Sequence, residues 1–384
     1  MSYLPIRTPS TVSVKERVPL TEHDIAIDYL RSFVIVVVIF IHAALAYTSF
    51  STYDPAHYID SIAPIVDPSR WPLLDLPFGF FYSFSMPLLF LVSGLFVFTG
   101  LERRGSRGFF VSRLRRLGIP FVAAAFLISL LAFWPSYLMA TPDSSTPYWI
   151  RYFTTDGWPI GAAWFLWVLL AFDGIVALIY RAAPAVLDKL RGEPTGRVVL
   201  LVTIAAFVPV SLFISPNDWI TRLGPFDVQP GKALLYFAYF LLGMALGNGQ
   251  KWRNFGWPKH WGYWFVFGIL ASFLSIFIGS DAGFLSRLVN STAFAASCTG
   301  ICLGFLGTFR QFVRKRHSLL DSLNTNAFGI YLFHYPIVLW LQFILVSSSW
   351  PAWLKFCVAF AGGLALSWGT SHLIRRIPAI RRVL

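Results

Sequence analysis

The chain has 384 residues, 56% of them hydrophobic and 13% charged, where an ordinary soluble domain carries about 45–50% and 25%. Its net charge of +13 invites a nucleic-acid reading, but the basic residues are sorted by position along the chain and a membrane accounts for both features. An ordinary soluble core and a nucleic-acid partner are therefore excluded.

The apolar residues gather into runs near the roughly 20 residues that cross a hydrocarbon core. In chain order ten spans are predicted: 31–50, 77–100, 117–140, 160–180, 198–215, 232–248, 261–279, 287–309, 325–346 and 353–373. The fifth, with Pro209, and the sixth, diluted by glycine and tyrosine, are tolerable in a bundle whose neighbours re-satisfy the backbone. The expected fold class is all-α, a polytopic membrane protein built as a bundle of about ten transmembrane helices in a single domain over 1–384. No internal repeat stands out. Residues 1–24 are mostly polar, and no small-residue cleavage pattern follows the first run, so they read as a cytoplasmic leader. Residues 374–384 read as a cytoplasmic basic tail. Cys298, Cys302 and Cys357 all fall inside apolar runs, which implies neither a disulfide framework nor a metal site.

Of the 31 basic residues, 25 fall in one alternating set of loops and helix ends, and the other set holds Arg70, Arg151, Arg222, Lys232, Arg287 and Lys355. The positive-inside rule makes the rich set cytoplasmic, with both termini on that side. The alternation runs through all ten spans without a skip, which supports the count. The opposite loops differ in character: 51–76 and 141–159 carry Tyr58, Asp60, Trp71, Trp149, Asp156 and Trp158, aromatic faces and carboxylates that suit sugar recognition as well as interfacial anchoring.

Ionisable residues within spans are costly and point to function. Arg31 is expected at the start of the first helix, behind Asp28, and His42 follows eleven residues later, a rise of about 16 Å to near the midplane. His334, in Tyr331-Leu332-Phe333-His334-Tyr335-Pro336, is expected at a similar depth on the ninth helix, which runs in the same sense. Asp173, inside the fourth span, is expected either to orient a histidine or to join a local polar pair. A histidine there can serve as a general base at neutral pH or as a covalent nucleophile. The second cytoplasmic loop places six arginines in the fourteen residues 103–116, and guanidinium forks match phosphate oxygens. Arg113 and Arg116, three apart, are expected on one helical face. On the residues alone, acyl transfer from an acyl-CoA stands beside an alternative: a transporter or flippase with the histidines as a proton relay.

Arg31 and His42, ten residues between them and preceded by Asp28, together with Arg113, Arg116 and Pro120, resemble the hallmarks of the membrane-bound acyltransferase type three family. The resemblance continues through Phe84-Ser85-Met86-Pro87, Ser93-Gly94, Trp164-Phe165-Leu166, Gly243, the His334 segment, His372 and Ile377-Pro378, and is most like the glucan succinyltransferase branch. It implies an O-acyltransferase of a bacterial inner membrane. Acyl-CoA, succinyl-CoA on the branch resemblance, would be a donor substrate rather than a bound cofactor, and the acceptor a carbohydrate hydroxyl outside. It further implies His42 and His334 as catalytic residues, Arg31, Arg113 and Arg116 as the acyl-CoA site, and Asp28, Trp164 and Asp173 in support. One departure is local: relatives of the branch often carry a histidine just before the Trp-Phe-Leu, where this chain has Gly161-Ala162-Ala163.

Overall fold

The structure is a computed structural model and describes residues 24–140, 146–154, 156–192, 194–221, 223–247, 260–278 and 283–381. The polar leader, apart from Asp24, the end of the basic tail, and Arg222, Lys251, Arg253 and Lys259 lie outside the described residues. Among the described residues, ten helices are long and apolar enough to cross a membrane. They are α1 (Ile25–Leu45), α2 (Asp75–Gly94), α3 (Val97–Met139), α4 (Trp164–Ala182), α5 (Gly196–Phe213), α6 (Pro230–Gly247), α7 (Trp261–Ile278), α8 (Phe284–Phe312), α9 (Ser318–Val346) and α10 (Ala352–Ile374). No strand longer than an isolated bridge occurs among the described residues.

Helices α1 and α3 depart most from their expected boundaries, and α9 starts at Ser318 rather than 325. The first helix starts six residues early, because the Asp24 side chain accepts the Ala26 N–H as an N-cap, and Arg31 is therefore already in its second turn. It ends at Leu45 because the Thr48 and Ser51 hydroxyls both donate to the Leu45 carbonyl and draw the chain away. The arginine-rich segment is helical too. Arginine is a good helix former, so α3 begins at Val97, breaks at Gly105 (φ 65°) and continues through two π-helical turns, Leu114–Gly118 and Ala124–Ile128. Arg113 precedes the first π turn and Arg116 sits within it, so the simple three-residue face expected for the pair does not apply.

Helix α1 is the axis of the bundle, packed against α2, α8, α9 and α10, with Leu30, Val34 and Ile39 fully buried. Small residues set the close crossings. A side chain at Gly243 or Gly247 of α6 would strike the Leu91 or Leu95 carbonyl of α2 and the linker after it, and Gly268 on α7 faces Gly300 on α8. That gives a packing reason for Gly243.

Side-chain bonds define two ends. At the near end, where α1 begins, the Tyr29 hydroxyl donates to Asp321 (2.8 Å), Arg310 approaches Asp24 (3.7 Å) and Arg191 pairs with Glu102 (2.9 Å). At the far end, the Tyr53 hydroxyl donates to the Ser136 carbonyl (2.6 Å) and the Ile160 N–H to Asp227 (3.1 Å). The far end uses its few cations structurally. Arg70 donates to the Thr48 and Ser51 carbonyls, Arg151 to Asp156, Lys232 to the Tyr82 hydroxyl and Lys355 to Asp67.

Candidate active site

Helices α1 and α9 bring His42 and His334 into direct contact. The His334 Nδ1–H donates to the Tyr331 carbonyl (2.6 Å), since a carbonyl can only accept, which leaves Nε2 as a bare lone pair. That nitrogen lies 3.1 Å from His42 Nδ1, which is also 2.9 Å from the Val38 carbonyl. The His42 Nδ1–H is thus shared between two acceptors, and the proton inventory leaves His42 Nε2 unprotonated and free of both. His334 is fully buried, whereas His42 keeps part of its surface open and lies edge-on to the Tyr335 ring at 5.0 Å. The expectation of equal depth holds in the strongest form, contact. His42 occupies the last turn of α1, because that helix spans Ile25–Leu45 rather than 31–50.

The far-end scaffold holds that last turn. Gln342, eight residues beyond His334 on α9, donates to the His42 and Ala43 carbonyls (2.9 and 3.1 Å), which no further helical turn could satisfy. Buried Lys355 and Asp67 pair at 2.8 Å, and the Asp67 N–H donates to the Ala46 carbonyl, so α10 pins the loop that follows His42.

Arg31 lies about 16 Å down α1 from His42. It pairs with Asp28 (3.4 Å) and donates to Asn324 on α9 (2.8 Å). Across the near end, Arg116 is surrounded by positive charge from Arg113, Arg31 and Arg104. The three sequence-predicted arginines therefore lie within electrostatic range at one end of the bundle. Asp173 does not orient a histidine: its fully buried carboxylate faces Arg113 at 3.4 Å, with no hydrogen bond to either oxygen among the described residues, because the fourth helix packs against α3. Charge compensation without a tight hydrogen bond leaves the guanidinium loosely committed.

Trp164 packs with Phe90, Trp219 and Tyr236 and has no ring contact with either histidine. Its neighbour Phe165 meets Tyr331 instead (5.9 Å). The Ala162 carbonyl accepts from the Tyr331 hydroxyl, so the segment before α4 is bonded to the same residue that holds His334. Sequence reasoning missed Gln342, Tyr331 and Asp227. Asp227 accepts the Ile160 N–H while its other oxygen has no partner among the described residues, and burial pushes its carboxyl up to about 7. It sits in a loop without periodicity, where a lone acid carries no signal.

A family model described as "Acyltransferase domain" matches residues 24–372. Curated proteins named "Glucans biosynthesis protein C" are similar over 92% of both chains: that of Escherichia coli O1:K1 is 23% identical over 373 residues and that of strain ED1a 24% over 372. No solved structure matches significantly. With the match running from the N-cap of α1 to the last turn of α10, the chain belongs to the membrane acyltransferase type three family and is an acyltransferase of groups other than aminoacyl groups.

Proposed function

We propose that the protein takes an acyl group from a cytoplasmic acyl-CoA, succinyl-CoA on the branch likeness, and moves it to a glucan hydroxyl on the opposite side of a bacterial inner membrane. The observation that carries the reading is the histidine pair with one free nitrogen, set about 16 Å along α1 from a cluster of arginines. The near end, rich in basic residues, faces the cytoplasm. There Arg31, Arg113 and Arg116 take the nucleotide phosphates, and the thiol arm reaches toward His42. His42 Nε2 accepts the proton of the acceptor hydroxyl as its oxygen attacks the thioester carbonyl carbon. The C–S bond breaks, and the proton passes to the departing thiolate. His334 Nε2 and the Val38 carbonyl hold the Nδ1–H throughout, which fixes the ring and supports its positive charge. Bringing both reactants into one enclosed site supplies a further part of the rate.

The curated relatives' name supports a glucan acceptor, and the family supports the transferase over the transporter alternative. Purified protein in nanodiscs, given labelled succinyl-, acetyl- and longer acyl-CoA with a glucan acceptor, tests the reading. Label in the glucan that needs both substrates is expected, with Arg116→Ala raising the donor KM at least tenfold. Substrate flux without acyl-CoA, or a donor KM unmoved by Arg116→Ala, would contradict it.

A further inference from the structure

The far end holds a partly open cavity of about 470 Å³ whose described walls come from separate stretches of chain, among them Tyr58 and Asp60, Arg151, Asp156 and Trp158, and Thr221 with Gly224. Its volume falls in the roughly 300–1,000 Å³ range of small-molecule sites. The polar wall is fixed in advance. Arg151 Nε donates to Asp156 (3.1 Å), the Tyr58 hydroxyl donates to the same carboxylate, and the Arg151 and Asp156 side chains are only 15% and 5% exposed. Trp158 and Phe153 supply aromatic faces, and Asp60 stands exposed at the rim. Among the described residues the lining sets two carboxylates, Asp60 and Asp156, against one permanent cation, Arg151, which does not favour an anion. Fixed donors and acceptors beside an aromatic face match an uncharged ligand that carries many hydroxyls.

The cavity is also joined to the histidine pair. Trp158 holds a left-handed backbone (φ 62°), unusual for a bulky residue, and is locked by its indole N–H donating to the Ala125 carbonyl (2.8 Å). From there the chain runs on as a strap. The Pro159 carbonyl accepts from Tyr152 (2.7 Å), the Ile160 carbonyl from Ser129 (2.8 Å), and Gly161 lies so close on Tyr335 that a side chain would collide with the ring. Ala162 then meets Tyr331. Tyr335 faces His42 and Tyr331 holds His334. Ala162 lies four positions after Trp158, a reach of at most about 14 Å.

We propose that this cavity docks a neutral sugar unit of the acceptor, neighbouring the unit whose hydroxyl reaches His42. The assignment of the occupant as the acceptor rests on the acyl-transfer reading; the binding of a neutral sugar does not. The test is titration of the purified full-length protein in nanodiscs, without acyl donor, with a neutral linear glucose oligosaccharide and with a uronic-acid oligosaccharide of equal length. Saturable binding of the neutral oligomer alone is expected. Thr154→Trp, which fills the cavity from an exposed position on its wall, is expected to weaken binding at least tenfold, as is Asp60→Ala at the rim. His42→Ala is expected to leave binding unchanged. Absence of neutral-oligomer binding, binding indifferent to both Thr154→Trp and Asp60→Ala, or preference for the uronic-acid oligomer would overturn the proposal. A His42→Ala protein that transfers acyl groups at the normal rate while the cavity variants still lose the oligomer would sink the catalytic reading and leave the binding site standing.

Discussion

At the scale of single residues, function turns on where one proton sits. Two backbone carbonyls, those of Tyr331 and Val38, can only accept, and through the His334–His42 contact they dictate which of four ring nitrogens is a free base. Gln342 is a positioning residue for that arrangement. Gln342→Leu leaves the His42 and Ala43 carbonyls without their donor, and is expected to cost about 1–3 kcal/mol of stability and roughly tenfold in kcat with an unchanged donor KM, read by thermal melting and steady-state kinetics. Asp227 gives a pH dependence. Burial lifts its carboxyl from 3.8 to about 7, so between those values the folded chain holds a proton that the unfolded chain has released. Stability from this group therefore falls as pH rises through that window and is level above it, by at most about 4 kcal/mol. Asp227→Asn keeps an oxygen for the Ile160 N–H and is expected to flatten this part of the pH–stability curve between pH 5 and 8. An identical curve for the two proteins would contradict it.

At the scale of elements, the arginine site depends on how α3 and α4 meet. Removing Arg113 alone leaves the buried Asp173 carboxylate uncompensated, so Arg113→Met is expected to destabilise by about 3–5 kcal/mol, whereas Arg113→Met with Asp173→Leu recovers most of that loss in the same melting assay. Asp28, Arg31, His42 and His334 were legible from the sequence because charge inside an apolar run is conspicuous, and helical rise alone set the two histidines at one level. The partner of Asp173 was not legible. Which of several arginines reaches it depends on the Gly105 break and the π turn at Leu114–Gly118, neither of which leaves a hydropathy signal. The same holds for the start of α1, where Arg31 and Ser32 look like the beginning of the helix but lie beyond its first turn and bond to Asn324 of α9.

For the whole molecule, hydropathy and the alternation of basic residues foretold ten spans, since lipid imposes length and polarity on each one separately. The far-end cover was beyond reach, because its Asp67–Lys355 pair and its strap join residues distant in sequence. Sidedness has a direct check. Cysteine placed by Ser69→Cys is expected to react with a membrane-impermeant maleimide on intact cells, and that placed by Lys189→Cys only after permeabilisation; the reverse pattern would invert the donor and acceptor sides. The most direct test of the central claim is single-turnover transfer from labelled acyl-CoA to glucan by His42→Ala, with donor binding measured on the same preparation. The histidine pair predicts a loss of roughly 10²–10⁴ in the transfer rate at unchanged donor affinity, and transfer at the wild-type rate would contradict it.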